Sequence, residues 1–452
     1  VGLLAVGVGA HCDPVKLPPL GHVRVHLDTD APVPLPAGRV PGPDDLTPLF
    51  DVLRVEVDGG ACPDCRREFA LDVDSLREGM SFTLTRGPSR VRLRMFRSLS
   101  YAVLGDDAQA AEAFYEIPAP PAEGALDVTL FVPVAALETP IGSEAAPAPA
   151  EVGARPSRVG TWSGAQRTPC NGDPPPGMVC VPGGAYWMGN PLVYDGTEVS
   201  GGAERLVVLS PFFLDAREVS VGELRSIEPL IADGVTAWSG FYLGDDISDW
   251  CTYALDSRRH DALPANCIDR TAAITACRAR GATLPTEAQR EYVASTLGTR
   301  IFPWGSDLPN CNDAVHARTG VGYLAAFDGS CRREGERPGG AIGYPRPVDR
   351  EDVGRDVVRL PSGGLVFDLA GNLGEWTRDA YQDRDAPCWS ASPPRVFVDP
   401  LCASPPGAAP LASIRGGSFL DAPVNLTAQK REGIDADTRL PLVGFRCARD
   451  AR

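Results

Sequence analysis

The stretch LPANCIDRTAAITACRARGATLPTEAQREY, residues 263–292, reads as two short helices joined by a tight turn. In TAAITACRARG the apolar residues recur at helical spacing. Asp269 and Thr271 are available to cap the unpaired amides at its start, and Gly281 can end it, because glycine tolerates the left-handed conformation that closes a helix. The second helix is PTEAQREYVAST, with Pro285 near its start and Glu287 in its first turn, where a negative charge favours the helix dipole. A third is expected over VGELRSIEPLIADG, residues 221–234.

From about residue 170 onward the remaining sequence is rich in Gly and Pro and shows few periodic segments. It reads as short strands and long ordered loops, which need disulfides or bound calcium to hold them. Upstream the pattern changes. VRVHLDTD, LFDVLRVEVDG, RREFALDVD, MSFTLTRG, RVRLRMFRS and DVTLFVPV are short alternating segments separated by Gly, Pro and Asp, so residues 13–138 are expected to form a β-sandwich-like domain. All seven Trp lie after residue 161, a further difference between the two parts. Between them, residues 139–169 have Pro, Ala, Gly and Ser but no periodic apolar face, and are expected to be an extended, mobile linker.

A chain of 452 residues has room for two or three cores. Hydrophobic residues at 43% and charged residues at 23% describe a soluble globular protein. With 43 Lys and Arg against 59 Asp and Glu the net charge is −16, and no basic stripe offers itself to phosphate backbones, which excludes nucleic acid as a partner. The acidic surface also disfavours anionic headgroups and suits cations. The opening VGLLAVGVGAHC is too short to span a bilayer and resembles the trailing half of a secretory signal. Cys12 resembles the lipidated first residue of mature bacterial lipoproteins, although His11 departs from the small residue expected there. The expectation is an exported protein, periplasmic, extracellular or an outer-membrane lipoprotein, whose only membrane attachment is a lipid at Cys12.

Thirteen cysteines support export. Cys62 with Cys65, Cys170 with Cys180, Cys251 with Cys267, Cys311 with Cys331, and Cys388 with Cys402 are near neighbours. Cys277 and Cys447 are left over and open to a long-range pairing. Zinc or a redox dithiol would be the alternative for Cys62-Pro-Asp-Cys65, but there is no second CxxC and only five His, so structural disulfides are expected. A catalytic CxxC sits at a helix N-terminus, whereas this one lies between two expected strands.

MVCVPGGAYWMG (178–189), PFFLDAREVSVGEL (211–224), the 263–292 stretch, FPWG (302–305), FDLAGNLGEWTRD (367–379), RGGSF (415–419) and GFRCARD (444–450) occur in this order. Together they resemble the sulfatase-modifying factor, or formylglycine-generating enzyme, family over residues 178–450. The resemblance implies a C-type-lectin-like variant fold with little regular secondary structure, giving an α+β chain whose loop-rich C-terminal domain, residues 170–452, follows the all-β domain. It also implies a disulfide between Cys277 and Cys447. A second disulfide of the family falls at Ala294 and Arg431, so both of its members are absent together.

Structural calcium is implied at Asp368 and Glu375 through side chains and at Gly371 and Leu373 through carbonyls, a set of hard oxygen donors. A second implied site falls on Asn312 and Asp328. The oxidases of the family convert a substrate cysteine to formylglycine with O₂, using two cysteines after RGGS to hold Cu(I). Here those positions are Asp421 and Leu426, neither of which is a soft ligand, so copper is not expected. The neighbouring histidine is Ala422, the aromatic before the Glu of the GNxWEW pattern is Gly374, and the Trp of the LPTEAEW pattern is Arg290. Ser418 remains, but a serine without an adjacent base is a poor nucleophile, and its hydroxyl can equally satisfy a strand end. Iron would want two His and a carboxylate, and the domain offers only His260 and His316, far apart in sequence.

These readings favour a noncatalytic, calcium-stabilised binding module for a peptide, glycan or envelope component. The alternatives are an enzyme of the same superfamily with altered, metal-dependent oxidase chemistry, its cleft built from Arg415, Ser418, Asp421 and Arg431, and a purely structural envelope protein. Fold alone does not choose among them.

Overall fold

The computed structural model describes residues 22–452 apart from 40, 43–44, 59–64, 79, 82–87, 123, 194–203, 238–249, 255–259, 319–330, 332–344, 351, 353, 384–385, 391–393 and 405–410. The expected signal remnant with Cys12, the Cys62–Cys65 pairing and the ligand expected at Asp328 therefore lie outside the described residues.

In chain order the first part comprises β1 (His22–Asp28), β2 (Val52–Asp58), β3 (Cys65–Ala70), α1 (Val73–Glu78), β4 (Met80–Ser81), β5 (Ser89–Phe96), α2 (Ser98–Leu104), β6 (Ala110–Ile117) and β7 (Ala125–Phe131). It continues into β8 (Ala148–Pro149) and β9 (Glu151–Val152). The strands form two sheets, ordered β4-β1-β7-β9 and β3-β2-β5-β6-β8. Alternation buries one face of each: Val23, Val25 and Leu27 of β1 join Leu53, Val55, Leu93, Ala111 and Ala113 in one core. β1 and β7 pair in parallel over seven residues.

The segment expected to be a mobile linker is extended, but it is hydrogen-bonded to the sheets. Phe114 N–H donates to Ile141 O at 2.7 Å, β8 runs parallel to β6, and β9 pairs with β7. Arg158 then binds Asp28 through its backbone and guanidinium at 2.9 and 3.1 Å. A segment without a periodic apolar face can still supply backbone partners to exposed sheet edges.

The second part runs through β10 (Met178–Val181), β11 (Gly184–Met188), β12 (Arg205–Leu209), β13 (Phe212–Asp215), α3 (Val221–Arg225), α4 (Glu228–Ile231), α5 (Arg270–Ala279) and α6 (Glu287–Ala294). It ends with β14 (Val357–Arg359), β15 (Leu365–Phe367), β16 (Gly374–Ala380), β17 (Phe397–Val398), β18 (Leu411–Arg415), β19 (Arg431–Asp435), β20 (Val443–Gly444) and β21 (Ala448–Asp450). Four small sheets result, ordered β10-β13-β21, β11-β12-β17, β14-β15 and β19-β18-β16-β20. The chain is thus mixed helix and sheet, with sheet predominant.

The two helices of the opening stretch form with the expected punctuation. The Asp269 carboxylate, rather than Thr271, caps α5 by accepting from Ala272 N–H at 2.9 Å, and Gly281 follows with φ +70°. Thr286 and Gln289 make a reciprocal capping box on α6. The third expected helix is instead two short ones: Ser220 and Glu223 cap α3 as a box, and the chain restarts as α4 at Glu228, just before Pro229. Proline lacks the N–H that an uninterrupted helix needs at that position.

Five disulfides are present among the described residues: Cys170–Cys180, Cys251–Cys267, Cys277–Cys447, Cys311–Cys331 and Cys388–Cys402. Cys277–Cys447 ties α5 to the residue before β21 across 170 positions. The two parts meet over a shared core in which Ala185, Trp187 and Leu206 of the second join the apolar side chains of the first. Trp187 Nε1 donates to Leu49 O at 2.7 Å, and Thr47 Oγ1 to Leu297 O at 2.8 Å. No helix among the described residues is long and apolar enough to cross a membrane.

Candidate functional site

The helix α6 turns a charged face inward. Glu287, Arg290 and Glu291 lie at i, i+3 and i+4, on one side of the helix, and none is more than 1% exposed. Buried charges persist only when paired, and each of these is. The register sets the partners: Glu375 of β16 faces Arg415 of β18, which in turn faces Arg431 of β19. Two guanidinium groups directly opposite would repel. The Glu287 carboxylate bridges them, accepting from Arg415 Nε at 3.0 Å and from Arg431 Nε and Nη2 at 2.7 and 2.6 Å. Burial alone would raise its pKa, but attraction by Arg431 and Arg415 prevails and holds it at about 2. Arg415 also donates to Glu291 at 2.9 Å, and Glu291 accepts from Gly189 N–H at 2.6 Å.

A second group surrounds the turn at 368–375. Glu375 accepts from Arg290 Nε at 2.6 Å on one oxygen and from Arg446 Nε at 2.8 Å on the other. Burial pushes its pKa up, and the two guanidinium groups bring it below the ordinary value. Arg350 donates to both oxygens of Asp368. Burial outweighs that arginine and leaves the Asp368 pKa raised. The Asp356 carboxylate accepts from Leu369 and Ala370 N–H at 3.0 and 2.9 Å. Glu218 accepts from Leu373 N–H at 3.0 Å and from Asn372 Nδ2 at 2.5 Å. Asp368 and Asn372 take left-handed backbone with φ 55° and 59°, which short polar side chains tolerate.

The candidate cleft residues do not line one open cleft. Arg415 and Arg431 are buried in internal ion pairs and serve the packing of α6 on the sheet. Ser418 is 2% exposed. Its Oγ donates to Asp421 Oδ2 at 2.6 Å, the same oxygen accepts from Ser418 N–H at 2.7 Å, and Leu420 N–H donates to the hydroxyl at 3.3 Å. Asp421 also accepts from Asn425 Nδ2 at 3.2 Å. The loop after RGGS is thus closed on itself by short-range hydrogen bonds, with Leu426 buried against Phe302, Ala314 and Ala370.

The donors expected for calcium do not fit that ion. Both carboxylates, Asp368 and Glu375, are already engaged by arginines, and Asn312 is an exposed residue whose N–H donates to Asn310 Oδ1 at 2.9 Å. No group of three or more His, Cys, Asp or Glu among the described residues is placed to hold a metal. His260 and His316 are each satisfied separately, with Nδ1 of His260 at 2.7 Å from Thr252 O and Nε2 of His316 at 3.2 Å from Asn310 O.

A feature that sequence reading missed lies where the two parts meet. A groove of about 510 Å³ opens between Ser100, Leu104 and Gln109 of the first part and Glu204, Arg205 and Trp389 of the second. Two buried polar atoms on its lining, Trp389 Nε1 and Gln109 Oε1, have no hydrogen-bond partner among the described residues. Arg205 donates to Trp389 O at 2.9 Å, and its pKa is lowered to about 10 by burial and then by Arg431. No local motif marks such a groove, since Gln109 and Trp389 on its walls are 280 positions apart in sequence.

Against known proteins, residues 165–451 match the Sulfatase-modifying factor enzyme 1-like domain. The formylglycine-generating enzyme of Mycobacterium tuberculosis is 30% identical over 191 residues, covering 39% of this chain and 54% of that protein. The chain thus spans about half the length of that curated relative. Among solved structures, PvdO from Pseudomonas aeruginosa is 19% identical with a TM-score of 0.41, over 60% of this chain and 94% of that one. Treponema denticola variable protein 1 is 13% identical with a TM-score of 0.37, over 61% of this chain and 100% of that one. Because the domain match covers well over half of the sequence and contains every motif from MVCVPGG to GFRCARD, the chain belongs to the sulfatase-modifying factor enzyme 1-like family.

Proposed function

We propose that this family member is an exported, noncatalytic binding module whose ligand is a hydroxyl-rich glycan held in the groove between its two parts. The observation that carries the reading is the unmet pair on the groove lining: an indole N–H donor and an amide oxygen acceptor, both buried. Sugar hydroxyls are at once acceptors and donors, so a glycan offers partners of both kinds. Carboxylates at Asp106, Asp107, Glu112 and Glu138 along the walls disfavour a polyanion. Five disulfides support export, since such bonds persist in oxidising compartments. The absence of soft ligands at Asp421 and Leu426, with the Ser418 hydroxyl committed to Asp421, supports a noncatalytic loop.

Screening the full chain on an array of envelope glycans tests the proposal. Gln109→Leu, which removes the acceptor from the groove, should weaken glycan binding roughly fivefold to thirtyfold, the equivalent of about 1–2 kcal/mol for one buried hydrogen bond. Binding to peptides but to no glycan would move the ligand class. Conversion of a cysteine in a peptide to an aldehyde by the purified protein would overturn the noncatalytic reading.

A further inference from the structure

The buried turn at 368–375 has two carboxylates, Asp368 and Glu375, of the kind a hard divalent cation would want, yet each is bound by arginine. Arg290 reaches one oxygen of Glu375 and, through Nη2, the carbonyl of Leu369 at 3.0 Å. Arg446 reaches the other oxygen and the carbonyls of Phe367 and Asp368, both through Nη2, at 2.8 and 2.9 Å. Arg350 takes Asp368 by both oxygens. A guanidinium is permanently charged and offers N–H donors in a fixed fork, so one group can neutralise a carboxylate and satisfy neighbouring carbonyls together.

The arrangement is built into the backbone as well. A Cβ on Gly416, at φ +101°, would lie 2.7 Å from Arg290 Nη2, so the glycine of RGGS leaves the space this side chain occupies. Arg290 stands at the position where the family resemblance implies a tryptophan, and a tryptophan brings neither charge nor a fork. A dication beside Glu375 would also meet two fixed positive groups already in contact with its oxygens.

We propose that in this chain guanidinium groups replace the calcium ion at the 368–375 turn, so that the turn is held without any divalent metal. This inference is independent of the glycan reading, because the groove shares no residue with the turn.

The test is calcium content and melting temperature of the full chain, purified without chelator, then compared in calcium and in excess chelator. The expected result is no stoichiometric calcium attributable to the turn and a melting temperature that chelation leaves unchanged. Arg290→Trp should make the protein chelator-sensitive, with a melting temperature several degrees lower in chelator than in calcium. If that variant does not fold, Arg350→Gln, which frees Asp368 alone, provides the same comparison. One equivalent of calcium in the unaltered protein, lost in Asp368→Asn and accompanied by a lower melting temperature on chelation, would overturn the proposal.

Discussion

Glu287 and Asp379 are joined by one hydrogen bond, from Glu287 N–H to Asp379 Oδ2 at 2.8 Å, and their pKa values are shifted in opposite directions. Glu287 is held at about 2 against an ordinary 4.5, so its stabilisation is complete above about pH 4.5 and is lost as pH falls toward 2. Burial, then the charge of Glu287, pushes Asp379 to about 7, and burial, then Asp368, does the same to Asp356. For a raised carboxyl the proton-bound folded form is favoured, and that advantage disappears as pH rises through 7. Denaturant midpoints measured against pH should therefore be greatest in the mildly acidic range and fall on both sides. Substitutions nearby separate two kinds of polar residue. Ser418→Ala should cost about 1 kcal/mol, as one local hydrogen bond does, whereas Arg415→Ala should cost about 3–5 kcal/mol because it removes the arginine paired with buried Glu291 and leaves Glu287 with Arg431 alone. Equilibrium unfolding checks both. The sequence marks Arg415 and Ser418 as members of a motif, but burial depends on which charges the register brings opposite one another, and no single stretch contains that pairing.

At the scale of elements, punctuation is local and legible for Asp269 and Gly281, which sit where their chemistry demands, whereas the cap of α6 proves to be Thr286. Thr286→Ala should cost about 1 kcal/mol by leaving an amide of α6 uncapped, measurable as a shift in unfolding midpoint. The strand β6 was not legible. Its sequence AAEAFYEI begins with alanines that favour helix, yet it lies between β5 and the edge strand β8 in a five-stranded sheet, with Ala111 and Ala113 wholly buried. Small side chains suit that position because they face a crowded core, a tertiary reason that overrides local preference. The Cys277–Cys447 link, implied by family resemblance, is formed and joins two elements that no local contact would hold together. Replacing both cysteines by serine should lower stability by about 2–5 kcal/mol in equilibrium unfolding.

For the whole molecule, the division read from composition is visible in the sheets, but the parts are not independent bodies on a flexible tether. Trp187 belongs to the second part and packs edge-on against Phe50 of the first, with ring centroids 6.1 Å apart. Trp187→Ala should therefore destabilise the chain by about 3–5 kcal/mol, and calorimetry should show the signals of both parts affected. The groove shares this dependence, since it exists only while both parts are assembled. The order of one small sheet has a consequence during synthesis. β13 is flanked by β10, which starts the family domain, and by β21, which ends it. The sheet cannot close until residues 448–450 have left the ribosome, some 270 positions after β10 emerges. At ordinary elongation rates that is a wait of roughly 15 to 50 s. Once made, β13 lacks one neighbour for the rest of that wait, and Cys277 lacks its partner for the last 170 positions of it, so strand and thiol both stay unpaired until synthesis of this domain is all but finished.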